Sequence, residues 1–327
     1  MSSKLAFITG ATGFIGAQVA ASALGEGYNL RLSVRRAEQI EKLKDVFRND
    51  ADRLQFVVVS DISKPHAFDD ALDKVDIILH IASPMPGKGT DLHKDYLDPA
   101  VRGTLSILES AQKVSSVTKV VVMSSMLAIG PVDLVMNTDQ YVPANTGKRQ
   151  ELDLEALFPN NTGHSNVMYV ASKILAHQAA LDWIKEHKPA FKLVTIHPGF
   201  VLGPSLIRKT ADDIDGINAW FWQSLQLPAP TFPPVIVDVR DVAELCIKAA
   251  KENLPDGYEL VAAGAPTTWK DMAAWVRKEY PQLETKLVED GPVPFRVDND
   301  VLGMKWRPLA ETLRDLIDQQ LALQKGN

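Results

Sequence analysis

The stretch that most constrains this chain runs from Lys4 to Ala23, where a short apolar run, a glycine-marked turn and a helical pattern follow without a break. Leu5 to Ile8 has the length and flanks of a buried strand, and from Gly16 onward small and apolar residues recur at helical spacing. Gly10, Gly13 and Gly16 mark the turn between them. In such a turn the first glycine permits the tight reversal, the second lets a pyrophosphate approach the main chain, and the third lets helix and strand pack closely. The helix start then offers unpaired N–H groups and the positive end of its dipole to the phosphates. A strand before and a helix after separate this pattern from a flexible glycine loop, and together they predict dinucleotide binding.

Composition narrows the possible partners. A chain of 327 residues, 46% hydrophobic and 23% charged, has the make-up of an ordinary globular protein and can bury a large core, as one big domain or two smaller ones. A net charge of -6 leaves no basic excess to hold nucleic acid or anionic lipid, so neither is an expected partner. The apolar start is too short for a signal-peptide core, and no run approaches the roughly 20 apolar residues of a membrane span. The single cysteine, Cys246, can form no internal disulfide; among Val242, Ala243, Leu245, Ile247 and Ala249 it reads as a buried helix residue in a reducing cytoplasm.

Leu30 to Val34 reads as a second strand, and a dinucleotide fold inspects the adenosine ribose just past its end. An acidic residue there suits NAD. This chain instead carries Arg35 and Arg36, and a guanidinium fork matches a 2′-phosphate, so NADP is expected, with Arg35 ahead of Arg36. Lys42, on a helix starting near Glu38, is a secondary candidate for the same phosphate. Leu54 to Val59 is a third apolar run, and Asp61 after it either accepts from the adenine amino group or caps the following turn. Val75 to His80 is a fourth run, in which His80 reads as a core histidine. The small residues after it, in Ile81-Ala82-Ser83, allow close approach of a cofactor.

Pro99 to Gln112 has helical periodicity, and Val117 to Met123 is a fifth strand that delivers Ser124 and Ser125 to its carboxyl end, where open parallel sheets place their chemistry. The stretch from Met126 to Val167 is broken by prolines and glycines, and its length suggests an excursion over the active site. Tyr169-Val170-Ala171-Ser172-Lys173 then opens a helix, with Tyr169 and Lys173 four apart on one face. A tyrosine hydroxyl has a reference pKa of about 10 and a nearby ammonium favours the phenolate, so Lys173 is expected to lower it toward working pH. Ser125, with Ser124 as its rival, can hydrogen-bond the same substrate oxygen, and Lys173 can bridge the nicotinamide ribose hydroxyls. The expected step is hydride transfer from a reduced nicotinamide to a carbonyl carbon while Tyr169 protonates the developing alkoxide.

Leu193 to Ile196 is a sixth strand, and from about Ser205 the βα rhythm lapses. Ile217 to Phe232 is rich in aromatics and is either a pocket wall or a cover over core. Strands are predicted at Val235 to Val239 and Gly257 to Ala262, and helices to Ala250, over Trp269 to Tyr280 and over Leu309 to Leu323. The fold class is therefore α/β: a Rossmann-type doubly wound parallel sheet with a smaller, interleaved C-terminal substrate lobe. The nucleotide-binding domain is expected over 1–204 plus about 235–262, and the lobe over about 205–234 plus 263–327.

Thr9 to Gly16, His80 to Met85, Val121 to Ser125, Tyr169 to Lys173, Pro198 to Pro204 and Val237 to Ala243 resemble the successive motifs of the dihydroflavonol-4-reductase-like branch of the extended short-chain dehydrogenase/reductase superfamily. That branch includes dihydroflavonol and cinnamoyl-CoA reductases and NADPH-dependent ketone, aldehyde and methylglyoxal reductases. The resemblance covers nearly the whole chain and implies NADPH-dependent reduction of a ketone or aldehyde by Ser125, Tyr169 and Lys173. Ser125 is favoured because the family's serine is usually the last of its run, which puts Ser124 nearer the nicotinamide. It further implies cofactor contacts at Gly10, Thr12, Gly13, Phe14, Ile15, Gly16, Arg35, Arg36, Lys42, Asp61, Ile62, Ile81, Ala82, Ser83, Ser124, Pro198, Gly199 and Val201, besides Tyr169 and Lys173, with no metal. Substrate contacts are expected at Met85, Met126, Ile129, Phe200 and Trp220.

The chain departs from the branch in three places. His177 stands where an acidic residue often follows the lysine by four, Met168 and Val170 replace the flanks of the Asn-Trp-Tyr-Cys signature, and the interval from Ser125 to Tyr169 is long. That interval normally lines the substrate, whose identity is therefore open. An NAD-retaining epimerase or dehydratase, or a hydroxysteroid-type dehydrogenase, would share the triad, although Arg35 and Arg36 oppose the first. A regulator that senses NADP without turnover is opposed by Tyr169 and Lys173. The expected partner is a small carbonyl compound, and the protein is expected to be a cytoplasmic monomer or homodimer.

Overall fold

Strand β1 (Leu5–Thr9), helix α1 (Phe14–Gly25) and strand β2 (Asn29–Val34) realise the opening pattern in a computed structural model that describes residues 4–83, 89–134, 140–214, 216–230, 232–289, 291–298 and 300–326. Gly16, Ala17, Ala20 and Ala23 are the small residues that α1 buries. The chain continues through α2 (Gln39–Val46), β3 (Leu54–Val58), β4 (Ile77–His80), α3 (Asp98–Gln112) and β5 (Lys119–Met123). Pro99 lies in the first turn of α3, where its missing N–H has no intrahelical partner to lose. After α4 (Leu154–Leu157) comes the long helix α5 (Ser165–His187), capped by the His164 side chain. It starts four residues before Tyr169, so the tyrosine sits in its second turn rather than at its mouth.

The second half comprises β6 (Lys192–Pro198), β7 (Phe200–Leu202), α6 (Gly216–Ser224), β8 (Ile236–Asp238), α7 (Val239–Lys251), β9 (Tyr258–Ala262), α8 (Trp269–Glu279) and α9 (Leu309–Lys325). Seven strands form one sheet in the order β3-β2-β1-β4-β5-β6-β9, every neighbouring pair parallel. The expected doubly wound fold class is the one observed. The order reverses between β1 and β4, and open sheets of this kind bind ligands outside the strand ends at that switch point.

Apolar side chains cover both faces of the sheet. α1 packs beside α7 on one face, over Val19, Leu32, Val242 and Leu245; α3 packs beside α5 on the other, over Phe7, Ile78, Ile107 and Trp183. At Gly199 the chain leaves the sheet, and β7 pairs in parallel with β8 to make a separate two-stranded sheet. A Cβ on Gly199 would lie 2.3 Å from the Val235 carbonyl oxygen, so this corner requires glycine. A third apolar cluster joins Phe221, Trp269 and Leu316 from α6, α8 and α9 with Phe232 from the segment before β8. Among the described residues no helix is long and apolar enough to cross a membrane.

Candidate active site

The glycine turn is set by close backbone packing on one side and open space on the other. Gly10 has φ +76°, and a Cβ there would stand 2.8 Å from the Ala82 nitrogen, so the turn lies flush against the end of β4. A Cβ on Gly16 would overlap the Gly10 carbonyl at 2.0 Å, which is the close helix–strand packing expected of the third glycine. Gly13 differs: the nearest protein atom to its Cβ would be the Gly10 oxygen at 3.4 Å, so its missing side chain leaves space on the outer side. Gly13 caps α1 with no side-chain hydrogen bond, and the first turn carries no acidic residue. The leading N–H groups and the helix dipole therefore face open space that suits a dinucleotide pyrophosphate. Thr12, Phe14 and Ile15 are part-buried around this mouth.

Thr9 locks the turn to β4. Its hydroxyl accepts the N–H groups of Ile81 at 3.1 Å and Ala82 at 3.0 Å, leaving its hydrogen for the His80 Nδ1 at 3.1 Å. His80 is buried, and desolvation with Lys173 nearby pushes it down to about 4, so it is a neutral core histidine. At the adenosine end, Arg35 and Arg36 follow β2 and are exposed; both backbone N–H groups donate to Gln39, and neither guanidinium has a partner among the described residues. Asp61 accepts from the Ser63 N–H at 2.9 Å and hydroxyl at 2.6 Å, bonds that hold its carboxyl below the usual range. That geometry is the turn cap of the two roles open to it. Lys42 lies in a separate mixed-charge cleft with Asp45, Ile207, Lys209 and Asp213.

The ends of β4 and β5 and the second turn of α5 converge. Lys173 is buried and donates from Nζ to the Ser83 hydroxyl; its nitrogen lies 5.3 Å from the centroid of the part-buried Tyr169 ring. Ser125 opens a 3-10 turn at Met126–Ala128 that packs against α5, and its Oγ accepts from the Leu127 N–H at 3.2 Å. The Ser125 hydroxyl hydrogen and the Tyr169 hydroxyl have no hydrogen-bond partner among the described residues, and both remain able to donate to a ligand. Ser124 sits one residue nearer the sheet, its N–H on the Ile196 carbonyl at 2.7 Å. Ser83, Ser124, Lys173, His80, His177 and Thr195 line a cavity of about 20 Å³, room for one water molecule.

The expected depression of the tyrosine pKa does not appear. Burial raises Tyr169 and pushes Lys173 down to about 8. Both groups lose hydration together, and the ammonium is bonded to Ser83 rather than to the phenol oxygen, so desolvation outweighs attraction.

A family model described as the NAD dependent epimerase/dehydratase family matches residues 6–260. The chain belongs to this family. It is 34% identical to ketoreductase sphI of Aspergillus fumigatus, an alignment covering 98% of each chain. It is 29% identical to the NADPH-dependent methylglyoxal reductase GRE2 of Saccharomyces cerevisiae, over 96% of this chain and 97% of that one. Its fold is similar to the crystal structure of yeast methylglyoxal/isovaleraldehyde reductase Gre2 complexed with NADPH, with a TM-score of 0.83, 28% identity, and coverage of 98% of this chain and 99% of that one. The resemblance to the extended reductases drawn from the motifs is borne out.

The remaining candidates are placed unevenly. Ile62 packs over Gly103, and Pro198 is buried at the end of β6. Val201 points into the main core, and Met126 is 1% exposed in an apolar cluster with Leu134, Val142 and Phe295. Ile129, Phe200 and Trp220 are part-buried, Phe200 lying 4.6 Å from Phe232 ring to ring. Met85 lies outside the described residues. In the aromatic stretch, Phe221 and Phe232 are buried in the third apolar cluster, while Trp220 keeps some surface. Sequence reasoning missed Thr195, His197 and Glu259. His197 Nδ1 is 2.9 Å from the Ser125 carbonyl, and Glu259 is 2.8 Å from His177 Nε2. These contacts join residues 72 and 82 positions apart, and no local pattern signals them.

Proposed function

We propose that the protein reduces a ketone or aldehyde to an alcohol with NADPH, Tyr169 acting as general acid. The observation that carries this reading is the convergence of Tyr169, Lys173 and the Ser125 turn near the end of β4, against which the glycine turn packs. NADPH supplies the hydride when bound. Arg35, and secondarily Arg36, would hold its 2′-phosphate, since both guanidinium groups are exposed and unpaired among the described residues. Ser125 would donate to the substrate oxygen and hold it beside Tyr169. Tyr169 then gives its proton to that oxygen as negative charge develops, and Lys173 stabilises the phenolate left behind. The names of the relatives, a ketoreductase and an NADPH-dependent methylglyoxal reductase, support the same reaction class. The single buried cysteine suits a reducing cytoplasm.

The test is oxidation of NADPH across small aldehydes, diketones and aryl ketones, with NADH alongside. Turnover should depend on NADPH. Tyr169→Phe should lower kcat by roughly 10²–10⁴-fold while NADPH still binds; an unchanged kcat would refute the assigned acid.

A further inference from the structure

Behind Ser125 lies a hydrogen-bonded chain whose proton arrangement follows once the buried ring at its centre is neutral; Thr195 Oγ1 also lies 3.5 Å from the Tyr258 carbonyl oxygen. Thr195 and His197 leave the same face of β6, two residues apart. His197 is wholly buried; its Nδ1 is 2.9 Å from the Ser125 carbonyl oxygen and its Nε2 is 2.8 Å from Thr195 Oγ1. A carbonyl only accepts, so Nδ1 carries the ring hydrogen. A neutral ring then has a bare Nε2, which must accept the Thr195 hydroxyl. Burial, with the neighbouring His177 and Lys173, keeps the ring neutral; the Ser125 carbonyl and Glu259 favour the charged form but do not outweigh the lost hydration.

The ring is also held from the side. His177 stands edge-on to it, at 4.8 Å and 83° between rings, and is itself fixed by Glu259. These three groups approach within 4.8 Å, a spacing that could suggest a metal centre. Both nitrogens of His197 are, however, committed to Ser125 and Thr195, which makes the cluster a hydrogen-bonded support. On the other side, the Ser125 carbonyl also accepts the Ala128 N–H at 2.9 Å, and Ser125 Oγ accepts the Leu127 N–H. Peptide and side chain of Ser125 are thus pinned from both directions, with the hydroxyl hydrogen left over.

We propose that His197 is a positioning residue for Ser125, with Thr195 selecting the Nδ1–H tautomer that grips the serine carbonyl and so sets where the hydroxyl points. The assignment rests on reading Ser125 as the group that holds the substrate oxygen. It predicts a residue that lowers kcat without touching substrate or cofactor.

The experiment is a mutant cycle, read as kcat and NADPH Kd with whichever panel carbonyl has the highest kcat/KM. His197→Leu should lower kcat by about 10–100-fold, the loss expected from misplacing a catalytic group by about 1 Å, with the NADPH Kd unchanged within about twofold. His197→Asn, which keeps a donor toward the carbonyl, should recover most of it. Ser125→Ala combined with His197→Leu should be no slower than Ser125→Ala alone, because the two act as one unit. Wild-type kcat in His197→Leu, or losses that multiply in the double variant, would overturn the proposal. Wild-type kcat in Ser125→Ala would instead remove the reading of Ser125 on which it rests. Should His197→Leu not fold, two measurements decide. Long-range ¹⁵N spectra of the wild type must show the Nδ1–H tautomer at His197, and Thr195→Val must lower kcat several-fold; an Nε2–H tautomer or an undiminished rate would overturn the assignment.

Discussion

Two residues, Arg35 just past β2 and Lys173 in α5, each lead to a measurable consequence. The Arg35 guanidinium makes no hydrogen bond or ion pair among the described residues, and its backbone bond to Gln39 does not need the side chain, so Arg35→Ala should leave the fold intact. A charge-assisted bond of about 1.5–3 kcal/mol would be lost, which raises the KM for NADPH roughly 10–100-fold and leaves that for NADH nearly unchanged. Lys173 carries a stability penalty instead. Its pKa is pushed down to about 8 in the folded chain, from an ordinary 10.5. Between those values the unfolded chain binds one more proton, so this group makes stability rise as pH climbs from about 8 to about 10.5. Below pH 8 the buried charge costs on the order of 3 kcal/mol, partly offset by the bond to Ser83. Lys173→Met should therefore melt higher than wild type without cofactor at pH 7, lose that advantage by about pH 10, and be inactive. Thermal unfolding at both pH values checks the sign.

At the scale of an element, the β1–α1 corner separates two kinds of glycine. Gly16→Ala forces a methyl against the Gly10 carbonyl, an overlap only a shift of α1 can relieve, and should destabilise by roughly 1–3 kcal/mol. Gly13→Ala meets the protein only at ordinary contact distance, and its backbone, at φ -100°, accepts a side chain. On the function proposed, the methyl would occupy space meant for the cofactor phosphates. Unfolding of Gly13→Ala should match wild type while its NADPH affinity falls at least tenfold; calorimetry and titration on both variants separate packing from binding.

For the whole molecule, the sheet and the C-terminal segment are joined through buried carboxylates at the start of α7. Asp238 caps α7, binds the Arg240 guanidinium and accepts the Thr312 hydroxyl of α9 at 2.7 Å. Asp241, with a side chain 1% exposed, takes the Arg307 N–H at 2.7 Å and its guanidinium. Removing one partner of such a pair leaves a buried charge uncompensated. Arg307→Leu should cost about 3–5 kcal/mol, and adding Asp241→Asn should restore part of it by removing that charge. Denaturant unfolding of the single and double variants tests this; equal losses would show that Asp241 is not the group left stranded.

How far the molecule was legible follows from the range of the interactions. The strands, the long helix of Tyr169 and the glycine corner were written in local order, because their periodicity and φ requirements are satisfied by residues a few positions apart. The Tyr169–Lys173 pair was legible for the same reason, being one helical turn. Tertiary structure decided the rest. The strand expected over Val235 to Val239 is found as β8 (Ile236–Asp238), yet its partner is β7 in a second sheet, a choice made by the corner at Gly199. Met126 fills a core cluster, and Asp61 turns its carboxylate on Ser63, because packing and nearby donors settle such side chains. The titration of Tyr169 and Lys173 was misjudged from sequence alone, since spacing reveals attraction but not the desolvation that burial imposes on both. The Thr195–His197–Ser125 chain lies wholly in this second class, as it exists only where β5 and β6 lie side by side.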